Sequence, residues 1–149
     1  MDTNDTISTL NGLIESCRDG QNGFQEASAN VKNPDLKSLF AEASTERSKF
    51  VGDLQREVRS LGGAPENTGS VAGAIHRTWL DVKGTFTGQD DAAILNECER
   101  GEDSAVSTYR DALATELPAN IRTLVETQYT AVQAMHDRIR NRRDRAARA

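Results

Sequence analysis

The chain has 149 residues, of which 36% are hydrophobic and 28% are charged, so it is long enough for one globular domain with a sizeable core. The formal net charge is −5, but residues 137–149 hold six arginines and two aspartates (+4), which leaves −9 for residues 1–136. An acidic body argues against general nucleic-acid binding. No apolar run approaches the roughly 20 residues of a membrane span, and the first residues lack the pattern of a signal peptide. A cytoplasmic protein that does not enter a membrane is therefore expected.

Apolar residues at heptad spacing predict two helices in the first part of the chain, at about residues 5–30 and 34–61. The first helix has its apolar positions at Ile7, Leu10, Ile14, Cys17, Phe24 and Val31. The second has them at Leu36, Phe40, Ala43, Phe50, Leu54 and Leu61. Asn33-Pro34 separates the two helices and Gly62-Gly63 ends the second. Because the connection is short, the helices are predicted to be antiparallel neighbours.

Residues 62–89 differ in character and are predicted to form a long crossover. The crossover begins with a turn-rich stretch at 62–69. A short amphipathic helix is predicted within 70–86, with apolar residues at Val71, Ile75, Trp79, Val82 and Phe86. The apolar face that Trp79 and Phe86 give this helix would cover the bundle or seat a second subunit.

Two more helices are predicted, at about residues 90–116 and 119–145, on either side of Pro118. The third helix has apolar positions at Leu95, Cys98, Ala105, Tyr109 and Ala112, and the fourth at Ile121, Val125, Val132, Met135 and Ile139. Two helical hairpins joined by a long crossover form an all-α four-helix bundle. The predicted domain organisation is one such domain over residues 1–149.

Each of the four apolar stripes is interrupted by one polar residue near mid-helix: Gln21, Arg47, Glu102 and Gln128. At 1.5 Å per residue, all four fall near the middle of the bundle, within about a turn of one another. A buried guanidinium needs a carboxylate, and Glu102 is the only one on a stripe at this level. We therefore expect Arg47 to contact Glu102, directly or through Gln21, Gln128 or a water molecule.

Four stretches carry a resemblance to a known family: CRDGQNGF (residues 17–24), LGG (61–63), GSVAGAIH (69–76) and ECERGED (97–103). They resemble the ferritin-like superfamily and, within it, the bacterial four-helix-bundle proteins of the DUF2383 domain. The resemblance covers nearly the whole chain and implies a ferritin-like four-helix bundle. DUF2383 brings no established activity with it.

Ferritin-like metal centres use a Glu on the first and third helices and Glu-x-x-His on the second and fourth. By resemblance, only Glu102 is retained of that set. The other matching positions are Gln21 after Gly20, Arg47 with Phe50, and Val132 with Met135 or Gln133 with His136. The resemblance thus implies a degenerate centre without a cofactor, in which any residual metal would be held by Glu102, Gln133 and His136.

Three functions follow as expectations. The first is a non-enzymatic ferritin-like bundle with a role in bacterial stress physiology, which rests on the resemblance alone, as does the expectation of a homodimer. The second is a di-metal carboxylate oxidase or peroxidase, or an iron-binding protein. The third is a stress protein that binds nucleic acid through the arginines of its C-terminal segment: Arg138, Arg140, Arg142, Arg143, Arg145 and Arg148.

The two cysteines, Cys17 and Cys98, lie on apolar stripes and are predicted to be buried and reduced. The proposed topology separates them by about 10 Å along the bundle axis, which exceeds the reach of a disulfide.

Five further polar residues are interpreted as ordinary surface or packing residues, although His136 also belongs to the residual metal set above. His76 and His136 are isolated in the sequence and are interpreted as surface or packing residues. Glu97, Glu99 and Asp103 are interpreted as a solvated helix face next to Glu102.

Overall fold

A computed structural model describes residues 2–65 and 88–148, with the backbone alone at 146–148. These residues contain four α-helices and no strand: α1 (Thr3–Asn30), α2 (Pro34–Ser60), α3 (Asp91–Leu113) and α4 (Ala119–Arg148). The four predicted helices are therefore confirmed. The short helix predicted within 70–86, with His76, Trp79 and Phe86, lies outside the described residues. In the described part of the chain, no helix has an apolar stretch long enough to cross a membrane.

Side-chain caps fix where the helices begin. Asp2 accepts a hydrogen bond from the backbone N–H of Asp5 (2.8 Å), so α1 begins two residues earlier than predicted. Asn33 accepts bonds from the backbone N–H groups of Asp35 (2.8 Å) and Leu36 (3.2 Å) and so caps α2. Asp90 caps α3 in the same way. Because backbone N–H groups at a helix start have no partner within the helix, these carboxylate and amide oxygens supply the missing acceptors.

The end of α3 differs from the sequence prediction. The helix ends at Leu113, three residues before the predicted end, and α4 continues to Arg148 instead of ending near 145. At the end of α3, Arg122 of α4 donates to the carbonyl oxygens of Leu113 (3.1 Å) and Thr115 (2.6 Å). A cation that bonds the last carbonyls of a helix stabilises its end.

The helices pack as two antiparallel hairpins. Gln21 and Asn11 of α1 bond to Ser44 and Ala64, so positions further along α1 meet positions closer to the start of α2. The α3–α4 pair is antiparallel as well, since Tyr109 of α3 meets Gln128 of α4 and the earlier Asp103 meets the later His136. The hairpins meet mainly where α1 packs on α3, whereas α2 and α4 contact each other least.

The core has two apolar parts with a polar layer between them. On α2, Arg47 stands between Ala43 of one part and Phe50 of the other. On α3, Glu102 stands between Cys98 and Ala105 in the same way. The upper core, near the α1–α2 connection, contains Phe24, Ala27, Val31, Leu36, Leu39, Phe40, Ala43, Ile94, Leu95, Cys98, Met135 and Ile139. The lower core contains Leu10, Leu13, Ile14, Cys17, Phe50, Val51, Leu54, Val58, Ala105, Tyr109, Ala112, Leu117, Ile121, Val125 and Val132.

Both cysteines are buried and neither forms a disulfide, as predicted. Cys17 belongs to the lower core and Cys98 to the upper core, so the polar layer lies between them.

Candidate functional site

The polar layer is centred on an ion pair between Arg47 of α2 and Glu102 of α3. Arg47 Nη2 donates to Glu102 Oε2 over 2.6 Å, and the two side chains are only 2% and 0% exposed. The predicted contact is confirmed, and it is direct. The guanidinium carbon of Arg47 also lies 5.6 Å from the centroid of the Phe24 ring, within the range of a cation–π contact. The pair therefore joins the two helical hairpins through the middle of the core.

The residue of α1 that faces this pair is Gly20, not Gln21. A Cβ atom built on Gly20 would lie 2.9 Å from Arg47 Nη1, so the absence of a side chain at this position makes room for the guanidinium. Gln21 points elsewhere: it is half-buried and lines an open groove between α1 and α2 with Gln25 and Ser44. Its backbone carbonyl oxygen accepts a hydrogen bond from Ser44 Oγ (2.9 Å). Adjacent helical residues point about 100° apart, which explains the difference from the prediction.

Gln128 belongs to a second polar group, inside the lower core. Tyr109 donates its hydroxyl hydrogen to Gln128 Oε1 (2.7 Å), and Cys17 Sγ lies 3.1 Å from the same hydroxyl oxygen. Among the described residues, Gln128 thus bonds to Tyr109 and does not bridge Arg47 and Glu102, a role that the sequence prediction had allowed. Tyr109 was assigned from sequence to the apolar stripe alone, although a buried tyrosine hydroxyl generally requires a partner.

Three buried polar atoms of these groups have no hydrogen-bond partner among the residues that the structure describes: Arg47 Nε, Glu102 Oε1 and Gln128 Nε2. Burial raises the pKa of Glu102, and the charge and hydrogen bond of Arg47 lower it only in part. Burial lowers the pKa of Arg47, but the charge and hydrogen bond of Glu102 outweigh this, so the net direction is upward and the guanidinium stays charged.

The positions at which ferritin-like proteins hold a di-metal centre do not fit such a centre in this chain. A dinuclear site requires about four carboxylates and two imidazoles. Here Glu102 is the one carboxylate at these positions. Its charge is already neutralised by Arg47, and the guanidinium would also repel a metal cation. The other matching positions carry no carboxylate or imidazole: Gln21 points away from the pair, and Phe50, Val132 and Met135 are buried in the cores.

The alternative ligand set of Glu102, Gln133 and His136 stays a prediction, and its Glu102 is already paired with Arg47. Gln133 is exposed, and its Nε2 donates to the hydroxyl oxygen of Tyr129 on the same helix (3.1 Å). His136 Nε2 lies 2.5 Å from Asp103 Oδ1.

A different group of possible metal ligands lies on the α3–α4 face. It consists of Glu99, Asp103 and His136, whose ligand atoms all lie within 4.8 Å of one another. Glu99 is buried against Arg143 of α4, so the interpretation of this residue as part of a solvated face was wrong, and His136 is not isolated. The sequence signal that could have revealed the group is the four-residue spacing of Glu99 and Asp103, which places both on one side of a helix.

The arginines of the C-terminal segment are mostly engaged with carboxylates of the same chain. Three form ion pairs: Arg138 with Glu42 (2.5 Å), Arg140 with Asp137 (3.2 Å), and Arg143 with Glu99 (2.5 Å) and Asp144 (3.0 Å). Two more line surface grooves that also contain acidic residues: Arg142 and Arg145, with Asp35 and Asp91. For Arg148 the structure describes only the backbone. Two of these cations, Arg138 and Arg143, thus pair with carboxylates of α2 and α3.

Solved structures with the same architecture include ferritin-like proteins. The bacterioferritin-related protein of Bacteroides fragilis, described as a dodecameric thioferritin, aligns over 99% of this chain and 89% of its own, with a TM-score of 0.86 and 15% identity. Dps92 of Deinococcus radiodurans aligns over 94% and 86%, with a TM-score of 0.80 and 16% identity. The Dps protein of Vibrio cholerae O1, described as a member of a broad superfamily of ferritin-like diiron-carboxylate proteins, aligns over 93% and 89%, with a TM-score of 0.73 and 14% identity.

At these identities the likeness establishes the fold and nothing finer. No curated protein matches the chain. The family described as "Domain of unknown function (DUF2383)" matches residues 5–115, which is well over half of the chain. This protein therefore belongs to the DUF2383 family and has the ferritin-like fold.

Proposed function

We propose that this protein is a non-catalytic, self-associating ferritin-like bundle in which a structural ion pair takes the place of a di-metal centre. The observation that carries the proposal is the contact between Arg47 and Glu102, 2.6 Å long and buried from solvent. A guanidinium is positively charged at all physiological pH values and cannot ligate a metal ion. The interior of the bundle is therefore suited to fixing the register of its helices and not to redox chemistry.

Self-association is supported by the relatives. The Bacteroides fragilis protein is described as dodecameric, and this chain has its fold over nearly the whole length. The sequence analysis favoured a homodimer, which is the simplest symmetric assembly. A cytoplasmic location and a role in bacterial stress physiology complete the proposal, and both rest on the family resemblance and on composition.

The test is an iron-oxidation assay on purified protein. Iron(II) is added anaerobically, oxygen is admitted, and iron(III) formation is followed by absorbance for the wild type and for Glu102→Gln. We expect the two proteins to give the same rate, because Glu102 is not a ligand. A faster wild-type rate that is lost in Glu102→Gln, with two iron ions bound per chain, would refute the proposal. Circular dichroism checks that the variant is folded, and light scattering after size-exclusion chromatography measures the assembly.

A further inference from the structure

Two helices bring three metal-binding side chains together outside the polar layer. Glu99 and Asp103 lie four residues apart on α3 and so occupy the same side of the helix, and His136 reaches them from α4. His136 Nε2 lies 2.5 Å from Asp103 Oδ1, and no two ligand atoms of the group are more than 4.8 Å apart. Two ligands of one zinc ion can be at most about 4.2 Å apart, since each bond is about 2.1 Å long. Side-chain movements of less than about 1 Å would therefore suffice to enclose an ion.

The burial of Glu99 is a second, independent indication of a cation site. Its side chain is buried, and Oε2 accepts no hydrogen bond from the described residues. Arg143 Nη1 forms an ion pair with this oxygen over 2.5 Å, although the contact is not a hydrogen bond. A buried carboxylate requires a compensating cation, and the ion pair shows that this position attracts one. Arg143 can leave because its side chain is partly exposed and already bonds to Asp144.

The imidazole of His136 is oriented as metal ligands usually are. Its Nδ1 lies 3.3 Å from Asp137 Oδ1, which is in position to accept the Nδ1 proton. Metal-binding histidines commonly donate their second N–H to a carboxylate in this way, which leaves the other nitrogen free for the ion. In His136 that other nitrogen is Nε2, the atom directed at Asp103.

We propose that Glu99, Asp103 and His136 bind one Zn²⁺ ion per chain, and that Arg143 is the cation that the ion displaces. Two carboxylates and one imidazole are a ligand set for zinc and similar transition metals, whereas Mg²⁺ and Ca²⁺ prefer oxygen ligands alone. Three protein ligands leave a coordination position for water. The site is separate from the Arg47–Glu102 pair and adds a binding activity to the proposed function.

The first experiment is calorimetric titration of the chelator-treated protein with Zn²⁺. We expect one ion per chain, at least tenfold weaker binding in His136→Ala and in Glu99→Gln, and much weaker binding of Mg²⁺. Glu97→Gln is the matched control, because it makes the same change two residues away in a side chain that pairs with Arg100 outside the group. No zinc binding, or equal binding by wild type and His136→Ala, would overturn the proposal. Binding of Co²⁺, followed by its visible absorption, provides a second readout for any variant with reduced stability.

The second experiment tests the role of Arg143. Arg143→Gln should bind Zn²⁺ several-fold more tightly than the wild type, because the competing cation is gone. Arg138→Gln, which removes the same charge from a pair with Glu42 of α2, should bind as the wild type does. Unchanged or weaker binding by Arg143→Gln would show that Arg143 does not compete with the ion.

The double variant Glu99→Gln/His136→Ala separates this proposal from the proposed function. It should retain no stoichiometric metal. If metal remains in this variant and is lost when Glu102→Gln is added, the ion is bound in the polar layer. That result would refute the proposed function and would not support the α3–α4 site.

Discussion

Gly20 and Arg47 are complementary in shape: a Cβ atom at position 20 would lie 2.9 Å from Nη1 of the arginine. Such a separation is below any normal van der Waals contact, and the guanidinium is held from its other side by Glu102. This glycine of α1 and the largest fully buried side chain of α2 therefore depend on each other.

A methyl group at position 20 tests this dependence. Gly20→Ala should lower the free energy of unfolding by about 1–3 kcal/mol, because the added atom must displace a guanidinium that is bonded to Glu102. Gly12→Ala, in the same helix, should instead stabilise by up to about 1 kcal/mol, because nothing lies within 4 Å of the added atom and alanine favours the helix. Urea denaturation measures both. Equal effects of the two substitutions would contradict the steric argument.

A double-mutant cycle measures the ion pair itself. Arg47→Met and Glu102→Gln should each destabilise by about 3–5 kcal/mol, because each removes one partner of a buried pair. The double variant should lose less stability than the sum of the two single losses, since both charges are removed and neither is left buried without its partner. Additive losses in chemical denaturation would mean that the two side chains do not interact.

The tyrosine in the lower core makes a separate prediction. Tyr109→Phe should cost about 1–3 kcal/mol, because Gln128 Oε1 loses its donor while it remains buried. Adding Gln128→Met should recover most of that loss, since the amide, whose Nε2 already lacks a partner in the described part of the chain, is then removed. Thermal unfolding of the two variants and the wild type checks this order. A double variant less stable than Tyr109→Phe would contradict it.

The raised pKa of Glu46 predicts that the stability of the protein depends on pH. Burial raises the pKa of this half-buried carboxyl, and Arg47 opposes the rise only in part. The folded protein then binds the proton more tightly than the unfolded chain does. The stability linked to this protonation is therefore fully present below the unfolded pKa of about 4.3, and it is lost as the pH rises through the folded pKa. Glu46→Gln should therefore gain stability relative to the wild type between pH 4 and pH 7. Urea denaturation of both proteins at the two pH values measures this. The same difference in unfolding free energy between variant and wild type at pH 4 and at pH 7 would contradict the prediction.

The cysteines should be unreactive in the folded protein. Burial raises the pKa of Cys17 to about 11 and also raises that of Cys98, so few thiolates form at pH 8. We expect no labelling by a chromogenic disulfide reagent within minutes in native buffer, and labelling of both thiols in guanidinium chloride. Fast labelling of the native protein would show that the cores open readily.

The sequence was sufficient for the fold because its helix signals are local. Apolar residues at heptad spacing, together with Asn33-Pro34 and Pro118, were enough to locate four helices to within a few residues. The Arg47–Glu102 contact was also predictable, because on the four apolar stripes read from the sequence these are the only charged residues, and their charges are opposite.

The features that were missed depend on how each helix is rotated against its neighbours. Gly20 has no side chain and is neither polar nor apolar, so the periodic pattern does not identify it. The pattern identified Gln21 instead as the α1 residue that faces Arg47. Glu99 reads as an ordinary surface acid until Arg143, from a segment 44 positions further along, is placed against it. Such pairings follow from tertiary packing and leave no periodic signal in the sequence.

The polar layer has a consequence for how the protein matures in the cell. The counter-charge of Glu102 is supplied by a side chain of the same polypeptide, so it is present as soon as the helices come together. On the proposed function, folding of the interior needs no metal delivery and no loading step. We then expect the core to be the same in iron-starved and iron-replete cells and to be unaffected by chelators.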